Sequence, residues 1–140
     1  MILFKKEDKK WGCFSNFYIA PVVIDGYEYK TTEHYYQAMK AENIEEHEFI
    51  ASAETPKEAR ERGRKCNLRK NWEQLKEDVM KTALSTKFNQ HPELKEILLE
   101  SGEEELVEFA PWDNYWGTGP NGNGKNRLGV LLMELREALK

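Results

Sequence analysis

The ten residues from Thr31 to Lys40, TTEHYYQAMK, constrain this chain more than any other stretch. They read as a helix that begins at a threonine. They follow almost directly on Val22 to Tyr29, where an Asp25-Gly26 pair sits between β-branched and aromatic residues. That pair predicts a tight hairpin, because both central positions of a type I′ turn need positive φ. At ~100° per residue, Glu33, Tyr36, Gln37 and Lys40 share about one quadrant of the helix. His34, Tyr35, Ala38 and Met39 occupy the rest. One face therefore carries a carboxylate, a phenol, an amide and an amine. Glu33 stands in the first turn, where the helix dipole favours a carboxylate. Lys40 lies ~10 Å further along the axis, and both side chains are long enough to reach one small ligand. An exposed face with unrelated charges gives the same pattern.

Around this helix the chain alternates short apolar stretches with helical stripes. Ile2 to Phe4 and Leu106 to Ala110 read as strands, and Trp11 to Tyr18 is aromatic with Ser15 and Asn16 in its middle. Ala41 to Ser52 is helix-compatible. Thr55-Pro56-Lys57-Glu58 is a helix start with Thr as N-cap, Pro at the first position and Glu closing a capping box. That helix is expected to stop near Gly63. A longer helix runs from about Asn71, with Trp72, Leu75, Val79, Met80, Ala83 and Phe88 as its stripe, and ends before His91-Pro92. Leu94, Ile97 and Leu98 mark a short helix closed by Ser101-Gly102. After a loop rich in Gly and Asn, the last helix starts near Leu128, with Leu131, Leu132, Leu135 and Leu139 expected on its inner side. The 140 residues are enough for one domain without staples. The expectation is a single α+β domain over 1–140, mainly helical, with a few short strands including the N-terminal hairpin.

Several function classes drop out. No apolar run is long enough to span a membrane, and MILFKKEDKKW lacks a signal-peptide core. Cys13 and Cys66 form no CxxC motif, so a reducing cytoplasm is the simplest compartment. His34, His47 and His91 lack metal-ligand spacing, so no metal and no cofactor is expected. A net charge of -4 argues against broad binding to nucleic acid or acidic membrane. Locally, residues 57 to 70 hold seven cations against two anions, which fits a phosphate patch or a solvated segment. Gly119 to Asn126 reads GxxxxGKN, one residue from a Walker A loop, but Asn126 replaces the hydroxyl that holds magnesium and no hydrophobic strand precedes it. The glycines still let backbone N–H groups approach an anion at the start of the last helix. Trp112-Asp113-Asn114-Tyr115-Trp116-Gly117 sets a carboxylate among rings, as suits a flat heterocycle.

FSNFY, TTEHYYQAMK, TPKEAR with Gly63-Arg64, LRKNW, and the terminal DNYWGTG with GKNRLGVLLMELR come in one order from Phe14 to Leu139. Together they resemble the NADAR family, whose best-known members are the YbiA-like proteins. The resemblance implies the YbiA-like fold and cleavage of an N-glycosidic bond. It implies a small ribosylated heterocycle with a phosphate, namely a phosphoribosylaminopyrimidine of riboflavin biosynthesis, releasing ribose 5-phosphate. ADP-ribosylated guanine in nucleic acid is the alternative substrate, and a non-catalytic sensor of ADP-ribose is the alternative of another class. By the family's motifs, Glu33 and Lys40 are the catalytic pair and Asp113 stands with them. Asn16, Phe17, Gln37, Arg64, Trp72, Trp116, Gly117 and Asn126 are the substrate-binding candidates.

Overall fold

The computed structural model describes all residues from Met1 to Lys140. The chain is α+β and mainly helical. In order it forms β1 (Ile2–Phe4), a 3-10 turn (Trp11–Phe14), β2 (Val22–Ile24) and β3 (Tyr27–Tyr29). There follow α1 (Thr32–Met39), α2 (Ile44–Ala51), α3 (Pro56–Lys65), α4 (Trp72–Gln90), α5 (Pro92–Glu100), β4 (Leu106–Glu108) and α6 (Arg127–Leu139). These elements form two compact units. One is Met1–Tyr18 with His91–Lys140, the other is Ile19–Gln90.

In the first unit, β1 pairs in parallel with β4, Ile2 opposite Leu106. Phe4 is fully buried and meets Phe14 edge-on at 5.6 Å. α6 packs against β4. The approach is so close that a Cβ on Gly129 would land on the Leu106 carbonyl oxygen, which sets the rotation of the helix. Leu128, Leu131, Leu132 and Arg136 are therefore the buried residues of α6. Leu135 and Leu139, expected to face inward, are only half-buried. Arg136 reaches Ser101 Oγ at 2.8 Å, a buried polar contact that a leucine stripe does not announce.

In the unit Ile19–Gln90, Asp25 (φ 53°) and Gly26 (φ 81°) turn β2 into β3, as the Asp-Gly pair predicts. The Gln90 side chain then acts as a substitute strand, since its amide accepts from Val23 N and donates to Val23 O, both at 2.9 Å. Thr31, Asn43 and Thr55 are N-caps in extended conformation, and each accepts the N–H three residues on. α3 continues through Gly63 to Lys65, so the glycine does not stop it. α1 packs against α2, α3 and α4. Every residue from Thr32 to Ala38 is buried, Glu33, Tyr36 and Gln37 of the polar quadrant among them, and Lys40 is half-buried, so an exposed charged face is ruled out.

His34 has no exposed surface and pins the start of α1. Its Nε2 faces the Ala53 carbonyl at 2.9 Å, so Nε2 carries the proton and donates. Nδ1 then accepts from the Thr31 hydroxyl at 2.8 Å, while that hydroxyl accepts the His34 backbone N–H at 3.1 Å. Burial lowers the His34 pKa, helped by the charge of Lys30 and opposed by the Ala53 bond and Glu58. The unfolded chain therefore takes up this proton first as pH falls. The stability tied to neutral His34 is complete above pH about 6.5 and is lost as pH drops through the lowered folded value, at up to ~1.4 kcal/mol per pH unit. Burial lowers the His47 pKa as well, and that contribution is common to wild type and variant. Urea unfolding between about pH 7 and 5 is expected to show a steeper loss of stability in wild type than in His34→Gln. Equal slopes would remove His34 as the responsible group.

Candidate active site

An ionised carboxylate taken out of water is costly unless hydrogen bonds replace its hydration. Glu33 is 7% exposed in the first turn of α1, where the positive end of the helix favours it. One turn on, Gln37 Nε2 donates to Glu33 Oε2 at 2.7 Å. Lys40 ends the helix, half-buried, with its Nζ 5.5 Å from the centre of the Tyr36 ring. Tyr36 in turn lies against Trp72 at 5.3 Å and an interplanar angle of 60°. The structure thus brings Glu33 and Gln37 together directly, and joins Lys40 to Trp72 through Tyr36. A carboxylate, an amine and a ring along one helix, with Trp72 of α4 against that ring, suit proton transfer beside a flat heterocycle.

Lys40 is fixed by a backbone contact that sequence inspection missed. Arg69 N donates to Lys40 O at 2.8 Å and Glu42 N to Asn67 O at 3.0 Å, around an antiparallel bridge between Ala41 and Leu68. Asn67 is itself held by Glu46. The segment that follows α3 is thus the brace of the α1 C-terminus. Tyr36 was also passed over as a site residue, although its place in the polar quadrant between Glu33 and Lys40 marked it.

The basic segment 57–70 is not one patch. The Arg62 guanidinium covers the Phe49 ring at 4.0 Å, pairs with Glu58 and donates to Phe49 O. It joins α3 to α2, where a cavity of about 460 Å³ is lined by Phe49, Ile50, Arg62 and Cys66 among others. Arg64 is exposed on α3, as are Lys57, Lys65 and Lys70 nearby, and these keep their charge at the surface.

The remaining candidates belong to the unit formed by Met1–Tyr18 and His91–Lys140. Asn16 is buried, and Phe17 is half-buried with Lys6 Nζ 4.9 Å from its ring centre. Asp113 Oδ1 accepts from Tyr115 N at 2.9 Å and Trp116 N at 2.8 Å, so this oxygen shapes the loop. Trp116 is buried and meets Tyr115 edge-on at 4.9 Å. At Gly117 a side chain would collide with Ala110. Asn126, left-handed at φ 50°, uses its amide as strand backbone. Its Oδ1 accepts from Glu108 N at 3.0 Å and its Nδ2 donates to Leu106 O at 2.9 Å. The glycine-rich loop offers no anion cradle at the start of α6. The N–H groups of residues 124 to 128 donate to carbonyls of residues 114 to 118, Gly124 to Thr118 O and Lys125 to Asn114 O among them. No three metal-ligating side chains converge, and no helix is long and apolar enough to cross a membrane.

The sequence profile of the NADAR domain matches residues 3–140. The N-glycosidase YbiA of Escherichia coli is 47% identical over 141 residues, covering 99% of this chain and 88% of that protein. Its NMR structure superposes with a TM-score of 0.89 over 98% of this chain and 82% of that one. An N-glycosidase of Nostoc punctiforme is 40% identical over 145 residues, 99% of this chain and 92% of that protein. A riboflavin biosynthesis protein of Vibrio vulnificus is 34% identical over 141 residues, 99% of this chain but 38% of that protein.

Asn126→Asp keeps an acceptor for Glu108 N and turns an oxygen toward the Leu106 carbonyl in place of a donor. The substitution is expected to destabilise the protein by about 1–3 kcal/mol, read as a lower thermal midpoint. An unchanged midpoint would show that the amide does not hold the loop.

Proposed function

The chain belongs to the NADAR family, and from that premise we propose that it is an N-glycosidase acting on a phosphoribosylaminopyrimidine of riboflavin synthesis. It is a hydrolase of an N-glycosyl bond. Its relatives in Escherichia coli and Nostoc punctiforme bear the name N-glycosidase, and the one in Vibrio vulnificus the name riboflavin biosynthesis protein. The observation that carries the reading is the buried Glu33 carboxylate, held by Gln37 at the head of α1. Residues 1–140 act as one NADAR domain in this proposal. A reducing cytoplasm suits the free cysteines Cys13 and Cys66.

Breaking the ribosyl C1–N bond leaves positive charge at C1 and the bonding pair on the departing nitrogen. Water forms the new C1–O bond and gives one proton to Glu33, the departing nitrogen takes a proton from bulk water, and Glu33 then returns its own to bulk water. The products are a free aminopyrimidine and ribose 5-phosphate. The Glu33 carboxylate also stabilises the charge that develops at C1. The buried Tyr36 ring, itself against Trp72, backs the Lys40 amine, and exposed Arg64 supplies charge for the phosphate. Lys40 adds a second route. A ribosylamine opens to an imine, the Lys40 amine exchanges into it and releases the aminopyrimidine, and water hydrolyses the resulting Schiff base.

Purified protein should be offered a phosphoribosylaminopyrimidine and an ADP-ribosylated guanine in parallel, with base release measured. Release from the pyrimidine is expected; release from guanine alone would move the assignment to ADP-ribosyl-guanine hydrolysis, and binding without release would make the protein a sensor. Glu33→Gln is expected to keep the fold and lose about 10²–10⁴ in turnover, and full activity in that variant would take Glu33 out of the mechanism. Borohydride added during turnover is expected to trap a substrate adduct in wild type and none in Lys40→Ala. If wild type gives no adduct, Lys40 does not attack as a nucleophile.

A further inference from the structure

We propose that Gln37 is a positioning residue that orients the Glu33 carboxylate, and that Gly63 of α3 holds the Gln37 amide in register. The inference rests on the reading of Glu33 as a catalytic group. Gln37 is buried, at 4% exposure, and its Nε2 is committed to Glu33. Its two amide atoms have different surroundings. A carboxylate needs a donor, so Nε2 lies toward Glu33 Oε2, at 2.7 Å. Oε1 is then left against α3, buried and without a hydrogen-bond partner.

The opposing surface on α3 is Gly63. A Cβ built there would collide with Gln37 Oε1 and come within 3.0 Å of Gln37 Cβ and Cδ. Gly63 lies inside α3, two residues before its end, where glycine weakens a helix relative to alanine. Two locally unfavourable choices therefore meet at one point: a glycine within a helix and a buried amide oxygen with no donor. What this arrangement secures is one amide hydrogen bond in one direction, donated to Glu33. A donor to the charged form of a carboxylate favours ionisation, and it also holds the Glu33 carboxyl in one orientation.

The test uses the full chain, with Gln37→Met as the length-matched variant and Gly63→Ala as the second, and with Lys40 and the half-buried Arg60 and exposed Arg64 of α3 unchanged in both. Carbon-detected NMR of the Glu33 carboxyl follows its protonation without substrate. Loss of the donor is expected to make Glu33 hold its proton about tenfold more tightly in Gln37→Met. Gly63→Ala, which displaces the amide, should shift Glu33 the same way and add little on top of Gln37→Met. The acid limb of kcat/KM is expected to move up with the Glu33 titration while KM stays put. A Glu33 titration unmoved in Gln37→Met, whether KM rises or only the thermal midpoint falls, would overturn the proposal. A Glu33 titration that moves while the acid limb does not would instead overturn the catalytic assignment of Glu33.

Discussion

A carboxylate at the head of a fully buried helix must find its hydrogen bonds inside the protein, and Glu33 finds one in Gln37 a turn further on. Much of the unit Ile19–Gln90 reads as the consequence. α1 is covered by α2, α3 and α4, so each polar group it carries has to be answered by a neighbour. Thr31 and Ala53 hold both nitrogens of His34. Gly63 leaves room for the Gln37 amide. Residues 67 to 69 run against residues 40 to 42 and settle where Lys40 leaves the helix. Functional groups on a helix whose two ends are pinned are preoriented, which is what charge stabilisation at a reacting centre demands.

What was legible in the sequence was mostly what local dihedral chemistry writes there. Asp25-Gly26 announces the hairpin because both residues must adopt positive φ. Thr31 and Thr55 announce their helices because a cap hydroxyl and an N–H three residues on are neighbours in the chain. The face of α1 that carries Glu33, Gln37 and Lys40 also follows from spacing alone. Burial of that face does not, because it depends on α2 and α3, which come later in the chain. Gly63 shows the same limit. As a local signal it says stop, whereas in the structure it is a contact surface for Gln37 inside a continuing helix. The rotation of α6 is set by Gly129 against the Leu106 carbonyl, a contact that no helical stripe encodes.

The glycine-rich loop and the polar helix invite opposite misreadings. The loop has the residue types of a phosphate cradle, but the donors at its end bind its own carbonyls, and Asn126 ties it to β4. Its glycines serve close packing, as at Gly117 against Ala110. α1 reads as a possible solvated surface, yet its side chains are the ones that are buried and aimed.

The character of Glu33 then bears on the chemistry. The helix N-terminus and the Gln37 amide favour the anion, while burial opposes it. In the proposed reaction this carboxylate takes a proton from water and faces the cation at C1. In the proposed function that role goes with a substrate whose C1 nitrogen is an exocyclic amine. Such a nitrogen can help to expel the ring oxygen with its own lone pair, and the later addition of water calls for a base. A leaving group that required strong acid assistance would call for a carboxyl without a donor beside it.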